Sequence, residues 1–209
     1  MRKTSAIGFD WGGVVFQNEG GSFNDAAAAF LGVDIMEFRR AYFLHNHMVN
    51  KGPNTKRFQD AVEMWGEILA ELGIPEKTDA LVEFVRSRTD GFVSEEMVGL
   101  IKRLRRSGWK VGLFSNNSAE NAQDFRYRGY DAWFDAALFS GDLNCMKPEP
   151  AAFEKLAEAL GVPVTELVFI DDSERSLSRS NEIGYEPILF TSYSALVASL
   201  VELEILPRT

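Results

Sequence analysis

The chain has 209 residues, enough for one α/β domain carrying a modest insertion and too few for two full domains. Its 45% hydrophobic and 25% charged residues match a soluble globular protein, and no run of about 18 apolar residues is available to span a membrane. A net charge of −9 argues against non-specific nucleic-acid binding, which needs basic surface, yet permits an anionic ligand wherever a metal, a lysine or a helix N-terminus supplies local positive charge.

Met1-Arg2-Lys3 begins like a signal peptide, but Asp10 breaks the apolar stretch and no small-residue cleavage site follows, so that reading is rejected. The first predicted strand is Ala6-Ile7-Gly8-Phe9, ending in Asp10, followed by a Gly12-Gly13 turn and Val14-Val15-Phe16. Gln17 to Gly21 reads as loop. From about Ser22 to Thr89 the pattern is helical. Phe58, Val62, Trp65, Leu69 and Leu72 recur at helix spacing, with Thr55 as a cap and Gly73 and Pro75 as stops. Further helices are predicted near Ala26–Leu31, Ile35–His47 and Lys77–Arg88. This block shows no strand signal and reads as an all-helical insertion.

Ser94 opens the next helix, with Glu95 and Glu96 in its first turn and Met97, Leu100, Ile101 and Leu104 on its apolar face. Lys102, Arg103, Arg105 and Arg106 crowd its last turns, where cations suit the helix dipole. Strands and helices then alternate. Strands are predicted at Val111–Phe114, Ala136–Phe139, Leu167–Ile170 and Ile188–Phe190. Helices are predicted at Ala119–Arg128, Pro150–Leu160, Glu174–Ile183 and Ser194–Leu203. Such alternation implies a parallel sheet with helices on both faces, binding ligands beyond the carboxyl ends of its strands. Cys145 is the single cysteine, so no internal disulfide forms and a reducing, cytoplasmic setting is expected.

Three of these strands end in polar residues: Asp10, Ser115-Asn116-Asn117 and Asp171-Asp172-Ser173. Lys147 sits in Met146-Lys147-Pro148-Glu149-Pro150 ahead of a helix. A parallel sheet would gather these chain-distant groups at one edge. In that order, Phe9-Asp10-Trp11-Gly12-Gly13-Val14, Phe114-Ser115-Asn116, Lys147-Pro148 and Ile170-Asp171-Asp172-Ser173 resemble the four motifs of the haloacid dehalogenase-like superfamily. Each motif is weak alone; four in order across residues 1–16 and 92–209 are specific. The resemblance implies a Rossmann-like three-layer core over those residues, with residues 17–91 in the place of the superfamily's helical cap. The chain is most similar to the branch containing bacterial sugar-phosphate phosphatases such as glucose-1-phosphate phosphatase, whose first motif also reads Asp-x-Gly.

The resemblance implies a magnesium-dependent phosphomonoesterase acting on a small phosphorylated substrate through an aspartyl-phosphate on Asp10. A carboxylate nucleophile splits such a hydrolysis into two steps, and catalysis is then mostly positioning and electrostatics. By the same resemblance Ser115 donates to a phosphoryl oxygen and Lys147 neutralises charge there and on Asp10. Asp10, Asp171, Asp172 and the Gly12 carbonyl are the implied oxygen ligands for Mg2+, with Asp172 the direct ligand and Asp171 the water-mediated one. The sequence alone leaves that last assignment open. Trp11, Gly12, Asn116 and Asn117 are candidate substrate contacts, although loop geometry explains both asparagines equally well. Arg39, Arg40, Lys51 and Arg57 are weaker candidates, more simply read as solvated surface.

One departure stands out. Most phosphatases of the superfamily carry an acid–base aspartate two residues after the nucleophile, and this chain has Gly12. General acid–base help is typically worth about 10² to 10⁴ in rate. Glu19, His45 and His47 are candidate substitutes. Metal-independent attack on a 2-haloacid and non-catalytic binding of a phosphate ligand are the competing readings. The paired Asp171-Asp172 argues against the first.

Overall fold

The computed structural model describes residues 3–19, 22–52, 59–88 and 91–208. Thr55, Arg57 and Phe58 therefore lie outside the described residues. Five strands form a parallel sheet: β1 (Ala6–Phe9), β4 (Lys110–Ser115), β5 (Ala136–Phe139), β6 (Leu167–Asp171) and β7 (Glu186–Leu189), in the order β5-β4-β1-β6-β7. Two further strands, β2 (Phe16–Asn18) and β3 (Gly91–Val93), pair antiparallel as a separate ribbon.

The three central strands β1, β4 and β6 are buried on both faces. Ile7 and Phe9, Val111 and Leu113, and Val168 and Ile170 point to one side. There they meet Met97, Leu100, Ile101 and Leu104 of α6 (Glu95–Arg106), Phe125 of α7 (Ala119–Tyr127) and Leu196 and Leu200 of α11 (Tyr193–Glu202). The alternate residues Ala6, Phe114, Leu167 and Phe169 face Phe153, Leu156 and Leu160 of α8 (Pro150–Leu160). This is the three-layer α/β architecture expected from alternating strands and helices. Gly8 and Gly112 lie on the α8 side. A methyl group at either would come within 2.6 Å of Phe169 or 2.8 Å of Leu156, so their bareness lets α8 seat against the sheet.

Between β2 and β3 the chain builds a second apolar cluster of its own. It draws on α1 (Phe23–Leu31), α2 (Ile35–His45), α3 (His47–Asn50), α4 (Gln59–Glu71) and α5 (Thr78–Ser87), with Phe38, Trp65, Ile68, Leu69 and Leu81 at its centre. Ser22 and Asp34 cap the first two helices, Asp34 accepting from the amides of Met36 at 2.8 Å and Glu37 at 3.1 Å. Among the described residues no helix is long and apolar enough to cross a membrane.

Three local expectations are corrected. The stretch from Gln17 read as loop, but Phe16–Asn18 is a strand paired with Gly91–Val93, a partner too remote in sequence for local pattern to reveal. Ile35–His47 read as one helix, but it breaks at Asn46 into α2 and α3. Glu174–Ile183 also read as one helix, but it divides into α9 (Glu174–Leu177) and α10 (Ser180–Ile183). There the Ser178 hydroxyl donates to the Arg175 carbonyl at 2.7 Å, competing with backbone helix bonds.

Candidate active site

Strand register sets the site. Phe9 lies opposite Leu113 on one side and Ile170 on the other, so Asp10, Ser115 and Asp171 all emerge at the carboxyl edge of the three central strands. The Asp10 amide donates to the Ile170 carbonyl at 2.8 Å, extending the ladder one step into the loop. The chain then turns sharply. Val15 and Phe16 amides both donate to the Trp11 carbonyl, and Gly13 donates to Phe16.

Lys147 is buried at the centre, 3% exposed. Its ammonium lies 2.9 Å from Asp10 Oδ1 and 2.5 Å from Asp171 Oδ2. Asp10 Oδ1 also accepts from the Trp11 amide at 2.7 Å, and Asp171 Oδ1 from the Ser173 amide at 2.9 Å. Both Asp171 oxygens are therefore engaged by protein donors. Asp172 is exposed and leans over Gly13, where an added Cβ would stand 2.1 Å from Asp172 Oδ2. Oxygens of Asp10, Asp171 and Asp172 all lie within 4.8 Å of one another.

Three carboxylates around one ammonium leave negative charge uncompensated. Burial pushes the Asp10 carboxyl up to about 7, with Asp171 and Asp172 adding to the rise and Lys147 opposing it. Neighbouring groups strip water from part of the exposed Asp172 carboxylate, and that desolvation with the Asp171 charge pushes it up to about 6, against Lys147 and Arg39. Burial disfavours the Lys147 ammonium, but Asp10 and Asp171 outweigh it and hold its pKa above the usual lysine value. An all-oxygen donor set with surplus negative charge fits a hard divalent cation such as magnesium.

Lys147 is itself held from the side. The Asn116 amide group donates to the Lys147 carbonyl at 2.9 Å, and its oxygen accepts from the Lys147 amide at 2.8 Å. Asn117 serves a turn: its side-chain oxygen accepts from the Ser118 amide at 3.0 Å and from Asn121, while its amide donates to Ser140 Oγ at 2.9 Å. Both asparagine side chains thus brace loop geometry, and Asn116 also borders the cleft beside Lys147. Trp11 packs edge-on to Phe125 at 4.8 Å and beside Tyr130 at 5.4 Å, within an aromatic cluster. Ser115 is buried at the end of β4, its carbonyl accepting from the Ser140 amide at 3.0 Å. Ser140, fully buried at the end of β5, was missed; a polar residue closing a strand at the ligand edge was the available signal.

Of the cations considered in the helical block, Arg57 lies outside the described residues and the other three have partners. Arg39 pairs with Asp25 at 3.0 Å, Arg40 with Glu71 at 3.9 Å and Lys51 with Glu149 at 2.7 Å. Cys145 is buried, and burial pushes its thiol up, as befits an inert packing residue. A cleft of about 150 Å³ opens between the helical block and the sheet edge. Phe43, Asn46 and His47 line it from one side, and Asn116, Lys147, Arg175 and Ser176 from the other. Arg175 lies over the Phe43 ring at 4.7 Å.

A family model described as haloacid dehalogenase-like hydrolase matches residues 4–177. Enolase-phosphatase E1 of Danio rerio is 27% identical over 161 residues, which is 71% of this chain and 61% of that protein, so the chain spans less than two thirds of its relative's length. A dehalogenase crystal structure has the same fold at a TM-score of 0.65 and 18% identity, covering 100% of both chains. A family enzyme from Bacteroides thetaiotaomicron, solved with magnesium and inorganic phosphate, aligns at a TM-score of 0.57 and 19% identity, covering 92% of this chain and 98% of that one. The strand-end carboxylates and the buried lysine thus sit in a chain that belongs to the haloacid dehalogenase-like hydrolase family.

Proposed function

We propose that the protein is a magnesium-dependent phosphomonoesterase for a small phosphorylated metabolite, with residues 1–16 and 92–209 as its catalytic core and residues 17–91 as a substrate-selecting cap. The observation that carries this reading is the triad of Asp10, Asp171 and Asp172 around the Lys147 ammonium. Magnesium, held by those carboxylates with the Gly12 carbonyl, would neutralise phosphoryl charge and keep Asp10 ionised. Asp10 attacks phosphorus and forms the aspartyl-phosphate, which water then hydrolyses. Lys147 orients the Asp10 carboxylate through its 2.9 Å contact and balances charge gathering on the transferred group. Ser115 donates to a phosphoryl oxygen, and Asn116 fixes the Lys147 backbone so that the ammonium stays in register.

Phosphate release from p-nitrophenyl phosphate and a panel of sugar phosphates, with and without magnesium, tests the reading. Wild type should need magnesium, and Asp10→Asn should lose at least about 10³ in kcat, since it removes the nucleophile itself. Gly12 favours one alternative, metal-independent attack of Asp10 on a 2-haloacid. Halide release without magnesium, together with no phosphate release, would establish that alternative.

A further inference from the structure

The last torsion of an aspartate side chain is soft, so the rotamer alone does not fix the plane of its carboxylate. In Asp10 hydrogen bonds must set that plane. Both donors grip the same oxygen: Oδ1 lies 2.9 Å from the Lys147 ammonium and accepts from the Trp11 amide at 2.7 Å. Oδ2 has no protein donor among the described residues and is the oxygen left for chemistry. Lys147 alone would let the carboxylate pivot about one contact, and its ammonium is shared with Asp171. The Trp11 amide is the second point that stops the pivot. Yet the segment carrying that amide has little to hold it. Gly12 and Gly13 follow, and glycine gives a chain its greatest conformational freedom. Between Asp10 and Val14, only Trp11 has a side chain.

That side chain is anchored on several sides. The half-buried ring lies edge-on to Phe125 of α7 at 4.8 Å and stacks on Phe16 of β2 at 6.0 Å. It is 5.4 Å from Tyr130 and 6.5 Å from Trp133, at the two ends of the 3₁₀ turn Tyr130–Trp133. Phe125 in turn packs edge-on to Phe139 of β5 at 4.9 Å. The Trp11 carbonyl accepts from the Val15 amide at 3.0 Å and the Phe16 amide at 2.8 Å. On the phosphatase reading given above, we propose that Trp11 is a positioning residue for the nucleophile. Its ring, held in the aromatic cluster, fixes the peptide whose N–H holds Asp10 Oδ1, and thereby the direction in which Oδ2 meets phosphorus. Trp11 acts through Asp10 and not by touching the substrate.

The test measures kcat, KM and the magnesium midpoint on p-nitrophenyl phosphate, and Tm, for the full-length protein and its variants Trp11→Ala, Trp11→Phe and Phe134→Leu. Phe134 belongs to the same apolar cluster, 6.3 Å from Phe125, but lies just ahead of β5, toward the end of the sheet away from Asp10. It reports lost packing without disturbing the Asp10–Trp11 peptide. At a temperature where every variant is folded, Trp11→Ala should lose about 10² in kcat, with KM and the magnesium midpoint within about twofold of wild type. Trp11→Phe should recover kcat to within about fivefold of wild type, because an aromatic ring again reaches Phe125. Phe134→Leu should lower Tm but keep kcat within about twofold. If Trp11→Ala does not fold, Trp11→Leu takes its place, with a loss of about tenfold. A kcat loss that follows Tm alike in Phe134→Leu and the Trp11 variants makes the role structural and overturns the proposal. So does a raised KM at unchanged kcat, which would make the ring a substrate contact, and so does no change at all. Each of these leaves the phosphatase reading intact, whereas a wild type inert on every phosphate with magnesium overturns both.

Discussion

At position 13 a single absent methyl group decides where Asp172 can sit. Gly13 has φ 78°, in the left-handed region, and a Cβ there would collide with the Asp172 carboxylate at 2.1 Å. Gly13→Ala should therefore cost about 1–3 kcal/mol of stability through strain. It should also weaken magnesium activation by displacing Asp172. Thermal melts and a magnesium titration of activity check both, and an unchanged magnesium midpoint would show that Asp172 does not need this close approach. The sequence reading placed Asp10, Lys147, Asp171 and Asp172 at one sheet edge, and the ion pairs of Lys147 with Asp10 and Asp171 join them there. It left Asn116 undecided between ligand and loop. Its two bonds to the Lys147 backbone depend on a partner 31 residues away.

Elements contribute unequally to the molecule's stability. Asp34 caps α2 with two hydrogen bonds, and Asp34→Ala should cost about 1 kcal/mol, the usual worth of an N-cap. Leu156 is fully buried between α8 and the sheet, against the bare faces of Gly8 and Gly112, and Leu156→Ala should cost about 2–5 kcal/mol. Denaturant unfolding of the two variants should rank them in that order. A larger loss for Asp34→Ala would mean that the α1–α5 cluster, rather than the sheet, governs global unfolding. The helices with strong apolar faces, α6 and α8, were legible from sequence nearly to the residue. The paired ribbon β2–β3, which closes the exit and re-entry of the helical block, was not. Three-residue strands carry too little period to read, and their pairing is a long-range fact.

For the whole molecule, the carboxylate cluster ties stability to pH and metal. Loss of water around them pushes the Asp10 carboxyl up to about 7 and that of Asp172 to about 6, above the ordinary 3.8. A carboxylate raised by folding binds protons more tightly folded than unfolded. Its contribution is thus present below about pH 4 and is lost as pH rises through about 6 to 7. Metal-free protein should melt at a lower temperature at about pH 8 than at about pH 5. Magnesium should raise Tm most at the higher pH, where it need not displace protons. An equal magnesium gain at both pH values would mean that these carboxylates do not hold the ion. By itself the sequence determined the α/β class, the order of the motifs and the carboxyl edge as the place for chemistry. These follow from local periodicity and from residues that end strands. Only the tertiary structure decided that Lys147 sits between two aspartates, that Asn116 braces the Lys147 backbone while Trp11 packs in an aromatic cluster, and that His47 faces the cleft while His45 does not. Each of those depends on which distant segments pack together, and burial and charge act through that packing rather than along the chain.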